Sequence, residues 1–333
     1  MKDDKEKVEN FRKAMQTLPS QKPEKNYKYE DCLRTIHTKL TDCPNNPYKS
    51  LVRMATATWG DGSVEPGCGS TQKWEKLSPN NRYIVALSVL TGNTLPTAME
   101  SVSFTFEFNG VPRHTFDQFA RMRIGSGHAS IGSRDNNKLD CPFVLYPSLY
   151  KAIENDMFLK HQFEEWVEIT KDLYEKILGT SEGSWQAARA VLPMSYSHSW
   201  VSYVNLLALK GQMARRLMAC EEAPMVLLFW KMRREIEDRF PLIANYLRPV
   251  CDNAKKCVYH EGPEGLTKYF SALFAGCGRW PTKETYSEFN NSCSDYAEIS
   301  KYVNVVGANE WIHFTPESYE ILSDLDKKLF EED

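Results

Sequence analysis

Val102, Phe104, Phe106 and Phe108 alternate with Ser103, Thr105 and Glu107. That is the period of a half-buried β-strand, and Asn109-Gly110 is turn chemistry that should end it. Elsewhere the apolar positions recur at helical intervals. Ser78–Leu90 carries such a pattern, with Ser78 placed as N-cap and Pro79 at the first helical position. Thr115–Ile124 has helical composition and stops at Gly125, where a loop of small polar residues begins and runs to Asn137. Helices are predicted over Ser148–Leu178 and Trp185–Val191. A long one over Val201–Phe240 must kink or break at Pro224. In and beside it, Trp200, Tyr203, Met213, Leu217, Leu227 and Trp230 take helical packing positions. Lys231, Arg233, Arg234 and Glu235 form a solvated face with i,i+4 pairing.

Leu51–Trp59 reads as a strand leading into the glycine-rich loop Gly60–Thr71. Residues 1–48 are polar and rich in lysine and glutamate, with a short helix near Tyr29–Lys39 and turn chemistry at Pro44-Asn45-Asn46-Pro47. They read as an arm outside the core. The chain divides into this extension, a core over 49–250 and a C-terminal extension over 251–333. The expected fold class is α+β, a mixed or antiparallel sheet with long helices and no internal duplication.

The 333 residues are 42% hydrophobic and 26% charged, enough for an ordinary core. A net charge of −3 argues against binding a nucleic-acid polymer, which needs a clustered positive surface. A small phosphorylated ligand needs only a few placed arginines. Met1 is followed by Lys2-Asp3-Asp4-Lys5-Glu6-Lys7 without an apolar stretch, and no run of about 18 apolar residues occurs. The expectation is a soluble intracellular protein without a membrane partner. Nine cysteines, an odd number scattered over the chain, read as reduced thiols. Cys251, Cys257, His260 and Cys277 could be imagined as a zinc site, but the first gap is wider than zinc spacing favours, so no metal is expected.

The segment Arg113–Asp135 carries the most chemistry. A turn and short helix deliver Gln118, Arg121 and Arg123, and a loop then supplies Ser126, His128, Ser130, Ser133 and Arg134. Arginines at i and i+2 do not share a helix face, so one can reach a nucleotide while the other reaches a cofactor phosphate. The planar guanidinium meets phosphate or a pyrimidine carbonyl edge with paired hydrogen bonds. A small-residue loop lets backbone N–H groups approach an anion. Solvated surface arginines would give the same pattern.

This segment resembles the flavin-dependent thymidylate synthases. Phe104 to Gly110-Val111 matches that family's phenylalanine-rich strand and turn, Gln118 its glutamine, and Arg121-Met122-Arg123 its Arg-His-Arg. Strict spacing puts the family's serine at Ile131, with Ser130 and Ser133 on either side. Thr97-Ala98-Met99-Glu100 resembles the Thr-x-x-Glu that precedes the strand. Ala188-Arg189-Ala190-Val191-Leu192-Pro193 resembles Ala-Arg-x-Val-Leu-Pro, and Asn205 and Arg216 follow at the family's offsets.

The resemblance implies FAD as cofactor, methylenetetrahydrofolate and NADPH as co-substrates, a pyrimidine nucleotide as substrate and a homotetramer. The implied reaction is one-carbon transfer to C5, dUMP to dTMP, with hydroxymethylation or dCMP, UMP or CMP as alternatives. Arg216 and Arg121 are the implied catalytic residues. Gln118, Arg121, Ser130, Ser133, Arg134, Arg189 and Arg216 are implied to bind substrate. Thr97, Glu100, Arg121, Arg123, Ile124, His128 and Asn205 are implied to bind flavin.

The chain departs from the pattern at Met122 (a histidine in the family), Leu207 (an arginine) and Leu95 (often a histidine). Glu222-Ala223-Pro224 replaces an Ala-Gln-x-Glu stretch. His128 could replace the missing imidazole or be a solvated loop histidine. A nucleotide-binding homologue without flavin chemistry is therefore the competing reading from another class. A single-stranded nucleic-acid binder fits the acidic balance poorly.

Overall fold

The computed structural model describes residues 28–57, 74–134, 136–218, 221–254, 291–307 and 310–332. The first elements are β1 (Tyr29–Asp31), α1 (Cys32–Thr35), β2 (His37–Asp42), α2 (Pro47–Ala57) and α3 (Pro79–Thr91). A 3-10 turn, Pro96–Ser101, leads into β3 (Ser103–Pro112), followed by α4 (Arg113–Phe119), β4 (Ser126–Ser130) and β5 (Phe143–Leu145). Next come α5 (Pro147–Asn155), α6 (Met157–Leu178), α7 (Trp185–Ala188), β6 (Ser197–Asn205) and α8 (Leu206–Arg216). The last are α9 (Ala223–Glu237), α10 (Pro241–Asn245), α11 (Val250–Ala254), α12 (Asn291–Val303) and α13 (Asp324–Glu331).

The main sheet is antiparallel with order β2-β3-β6-β4, and β1 pairs in parallel with β5. The fold is α+β, as the sequence implies. Phe104, Phe106 and Phe108 are fully buried on one face of β3, and from β6 Trp200 and Val204 join them. Each such side chain contributes roughly 1.5–3 kcal/mol on leaving water. Helix α9 closes this core: Met225 to Trp230 are all buried, as are Met232 and Ile236. Ser78 caps α3 as expected, its hydroxyl accepting from Asn81 N at 3.3 Å.

Several expectations are corrected. Residues 28–48 are not outside the core, because β2 is a sheet strand and Cys32, Ile36 and Leu40 are buried. The segment near Tyr29–Lys39 is strand, one helical turn and strand. Leu51 to Ala57 is helical, in α2, and the loop Gly60–Thr71 lies outside the described residues. Asn109-Gly110 does not end β3. It forms a bulge between the pairs Phe108–Trp200 and Val111–His198, and the strand runs on to Pro112. Gly110 has φ of 70°, and a Cβ there would lie 1.8 Å from Thr35 O, so only glycine lets α1 pass so close.

The loop expected after Gly125 begins with the edge strand β4. Val201–Asn205 is strand, not helix; the helical run is split into α8 and α9, and α9 starts at Ala223, with Pro224 in its first turn. Trp200 and Tyr203 therefore lie on a strand, and Tyr203 is exposed. The charged face of α9 is not simply solvated. Arg233 is buried against Glu237 at 3.0 Å, Glu235 accepts from Leu40 N at 2.9 Å, and Lys231 bonds the Ile36 carbonyl.

Candidate functional site

One end of the sheet gathers residues expected to hold a cofactor. Ser103 pairs with Asn205, Ser126 pairs with Val204, and Asn205 N donates to Gly125 O at 2.8 Å. Asn205 ends β6 and caps α8, its Oδ1 accepting from Ala208 N at 2.8 Å. Gly125 has φ of 67°, and a Cβ there would stand 2.6 Å from Asn205 Nδ2 and 2.8 Å from the Ala208 Cβ. Glycine thus lets the chain pass directly against the asparagine side chain. Thr97 and Glu100 are exposed on the 3-10 turn that leads into β3, and Arg123 and Ile124 are exposed beside Gly125, Ile124 at 91%.

Arg121-Met122-Arg123 lies beyond the end of α4, so the two arginines project from turn backbone while Met122 packs on the core. The Met122 carbonyl accepts from Ser126 Oγ, and His128 Nε2 lies 3.1 Å from it. His128 Nδ1 lies 2.7 Å from Ser202 Oγ. Both ring nitrogens are therefore engaged within the fold, and the expectation of a solvated loop histidine is corrected.

The turn between α8 and α9 holds a second group. Arg216, in the last turn of α8, pairs with Glu221 at 2.6 Å. Gln118, on α4, donates its amide Nε2 to Glu222 Oε1 at 2.6 Å. His114 Nε2 lies 3.9 Å from Glu222 Oε2 and bonds the Tyr146 hydroxyl at 3.0 Å. Burial, followed by Glu222, holds the Tyr146 phenol well above its ordinary pKa. A cavity of about 510 Å³ beside this group is lined by Tyr146, Ser148, Glu222 and Asp295. Glu221 and Glu222 were not expected as site residues. Their signal in the sequence is the acidic pair where the family pattern breaks after Arg216.

The remaining expected residues lie elsewhere. Ser130 pairs with Trp200, five residues and about 17 Å along β6 from Asn205. Ser130, Arg134 and Arg189 are exposed, and Ser133 is buried. The chain beyond Arg189 reaches the start of β6, where Met194 O and Tyr196 O accept from His114 N and Arg113 N at 3.0 and 3.1 Å. Among the described residues, no hydrogen bond joins Ser130, Ser133, Arg134 or Arg189 to Gln118, Asn205 or Arg216. A single chain thus brings together 97–100, 123–125 and 205 at one place and 118, 216 and 221–222 at another, but not the third set.

The segment behind Ser133 is pinned from α6. Lys171 donates to the carbonyls of Lys138 at 3.1 Å, Cys141 at 2.5 Å and Leu139, and burial pushes its pKa down to about 8. His198 is 1% exposed, and its Nε2 lies 3.4 Å from Arg113 Nη1. Burial, then the charges of Arg113 and Lys138, push its pKa down to about 3.

A family model described as thymidylate synthase complementing protein matches residues 39–242. The chain belongs to that family. Thymidylate synthase complementing proteins act in pyrimidine-nucleotide methylation, and this chain is a protein of that nucleotide methyltransferase type. Among solved structures, two crystal structures of the UMP/dUMP methylase PolB from Streptomyces cacaoi are similar. The one bound with 5-Br dUMP is 14% identical with a TM-score of 0.47, over 63% of this chain and 93% of that one. The one bound with 5-Br UMP is 14% identical with a TM-score of 0.48, over 66% and 95%. No curated protein matches significantly. The family match spans both the sheet end at Asn205 and the Glu221–Glu222 turn.

The zinc reading involves Cys257, His260 and Cys277, which lie outside the described residues; Cys251 is buried. Among the described residues no three histidine, cysteine or acidic side chains cluster as metal ligands, and no helix is long and apolar enough to cross a membrane.

Proposed function

We propose that this protein transfers a one-carbon unit to C5 of a pyrimidine nucleotide, dUMP to dTMP in the first instance, with FAD as cofactor and methylenetetrahydrofolate and NADPH as co-substrates. The observation that carries the reading is the placement of Asn205 and Arg216 at the two ends of α8, about 16 Å apart on one rigid support. One end packs its asparagine side chain against Gly125, and at the other Arg216 pairs with Glu221, whose neighbour Glu222 holds the Gln118 amide. Rigid elements hold reacting groups more tightly than loops do.

The residues present suit a flavin. Thr97, Glu100, Arg123 and Ile124 are exposed on the segments that flank Asn205, and Gly125 lets the chain pass close against its amide. When bound, FAD supplies redox chemistry that side chains do not offer. Gln118 and Arg216 would hold the pyrimidine, and Arg216, with Arg121, would stabilise negative charge developing on the ring as C5 becomes nucleophilic. Arg189, with Ser130 and Arg134, would take the nucleotide phosphate, contributed from a neighbouring subunit of a homotetramer, while Ser133, buried in its own chain, would support their loop.

A second reading, a nucleotide-binding homologue without flavin chemistry, is favoured by Leu95 and Leu207, which pack against the core at positions that are polar in the family. Titration of the purified protein with FAD, alone and with dUMP, dCMP, UMP or CMP, followed by addition of methylenetetrahydrofolate and NADPH, decides between them. A yellow protein that forms a methylated nucleotide supports the enzyme. A colourless protein that binds nucleotide supports the second reading, and one that binds neither defeats both.

A further inference from the structure

Two consecutive carboxylates in the turn between α8 and α9 each grip a side chain assigned to the pyrimidine: Glu221 holds Arg216 and Glu222 holds Gln118, both at 2.6 Å. We propose that Glu222 is the positioning residue that sets base discrimination, by fixing which way the Gln118 amide faces. The assignment rests on the nucleotide reading above and adds to it the origin of the choice between uracil and cytosine.

An amide can turn over, exchanging its carbonyl for its NH2, at almost no cost in shape. A uracil edge offers an N3 donor flanked by carbonyl acceptors, whereas a cytosine edge offers an N3 acceptor beside an amino donor. The two edges therefore demand opposite orders of donor and acceptor from the same amide. Gln118 is not free to supply both. Its NH2 donates to Glu222 Oε1, and turning it over would set the amide oxygen against a carboxylate oxygen, two acceptors face to face. One amide N–H and the carbonyl remain for the base, in a fixed order. Glu221 does the same for Arg216 by occupying one Nη1 direction and leaving the others of the fork in a set plane.

The Glu222→Gln variant keeps the shape but replaces an acceptor-only group by one that can donate or accept, so the Gln118 amide can take either orientation. Calorimetric binding of dUMP and dCMP to the full chain, wild type and E222Q, reads the effect directly. The expected result is a clear wild-type preference for one base, narrowed about tenfold in E222Q, the size of one lost two-bond base contact. The apo melting temperature should stay nearly unchanged. Gln118→Ala must narrow the same ratio, and it serves as the test if E222Q is not recovered folded. An unchanged ratio in either variant overturns the assignment, as does a wild type that binds both nucleotides equally. Wild-type protein that binds neither nucleotide sinks the nucleotide reading and this assignment with it.

Discussion

Arg216 already has a carboxylate partner in Glu221, so its guanidinium arrives at the site oriented rather than searching for a geometry. On the proposed reading its charge matters most when negative charge develops on the ring. Arg216→Lys keeps the charge but loses the planar fork. The rate of C5 transfer should fall by about one to three orders of magnitude while nucleotide affinity falls much less, the pattern of an interaction made mainly in the transition state. Single-turnover product formation alongside equilibrium binding measures both; lost binding with an unchanged chemical step would make Arg216 only an anchor. Arg189, by contrast, is assigned to the phosphate, and Arg189→Ala should weaken nucleotide binding by roughly 1.5–3 kcal/mol. His198 gives a prediction about acid. Its folded pKa of about 3 lies below the ordinary 6.5, so the unfolded chain binds the extra proton first as pH falls. Its contribution to stability is complete above pH 6.5 and is lost progressively toward pH 3. His198→Phe should reduce the fall in denaturation midpoint between neutral and mildly acid buffer, and an undiminished fall would show that other groups set the acid sensitivity.

At the level of elements, the sequence is legible where burial is one-sided and opaque where it is not. The β3 alternation reads directly because Phe104, Phe106 and Phe108 all enter the core while Glu107 stays outside. β6 has the same period, with His198, Trp200, Ser202 and Val204 buried, but two of those four are polar and the helix α8 follows without a break. Its tail therefore reads as helix. β4 carries only small or polar residues on an edge and buries none of them fully, so nothing in its pattern separates it from a loop. The candidate site shows the same division. Gln118, Asn205 and Arg216 are visible through spacing, whereas Glu221 and Glu222 acquire meaning only when the α8–α9 turn brings them to their partners. Likewise Lys171 is one of many lysines until α6 sets its ammonium under three backbone carbonyls, three donors matched to three acceptors. Lys171→Met should destabilise the fold by at least about 1–3 kcal/mol, because buried acceptors are left unpaired. Limited proteolysis should then cut within 133–141, and a variant as resistant as wild type would show that α6 does not restrain that segment.

For the whole molecule, an apolar helix is available to a subunit interface only where its own chain does not cover it, and α9 is spent inside the chain's own core. Exposed apolar side chains sit instead on the outer face of β6, at Val201 and Tyr203, and along α6, at Phe158, Ile169 and Leu173. The C-terminal residues also return to the core: Asp326 bonds Tyr48 at 2.5 Å, and Arg82 holds the carbonyls of Phe330 and Glu332 at 2.8 and 3.0 Å. The chain therefore has a closed core but a divided candidate site, with Ser130 about 17 Å along β6 from Asn205. A dihedral homotetramer, in which one subunit's Arg189 set faces another's Asn205 and Arg216, would unite the parts, and closed symmetry repeats that union at every site. The prediction is complementation. Assayed with nucleotide well below the weakened Kd, Arg189→Ala should be nearly inactive alone, and Asn205→Ala should be so through loss of flavin. When equal amounts are mixed and allowed to exchange subunits, about a quarter of the sites should draw both residues from unmutated positions and activity should reappear to that extent. A site built within one chain gives no such recovery, since every chain in the mixture carries a defect. Light scattering on the same samples separates the two ways of failing: a monomer at micromolar concentration removes the tetramer, whereas a tetramer without recovery keeps the assembly and places the site within a single subunit.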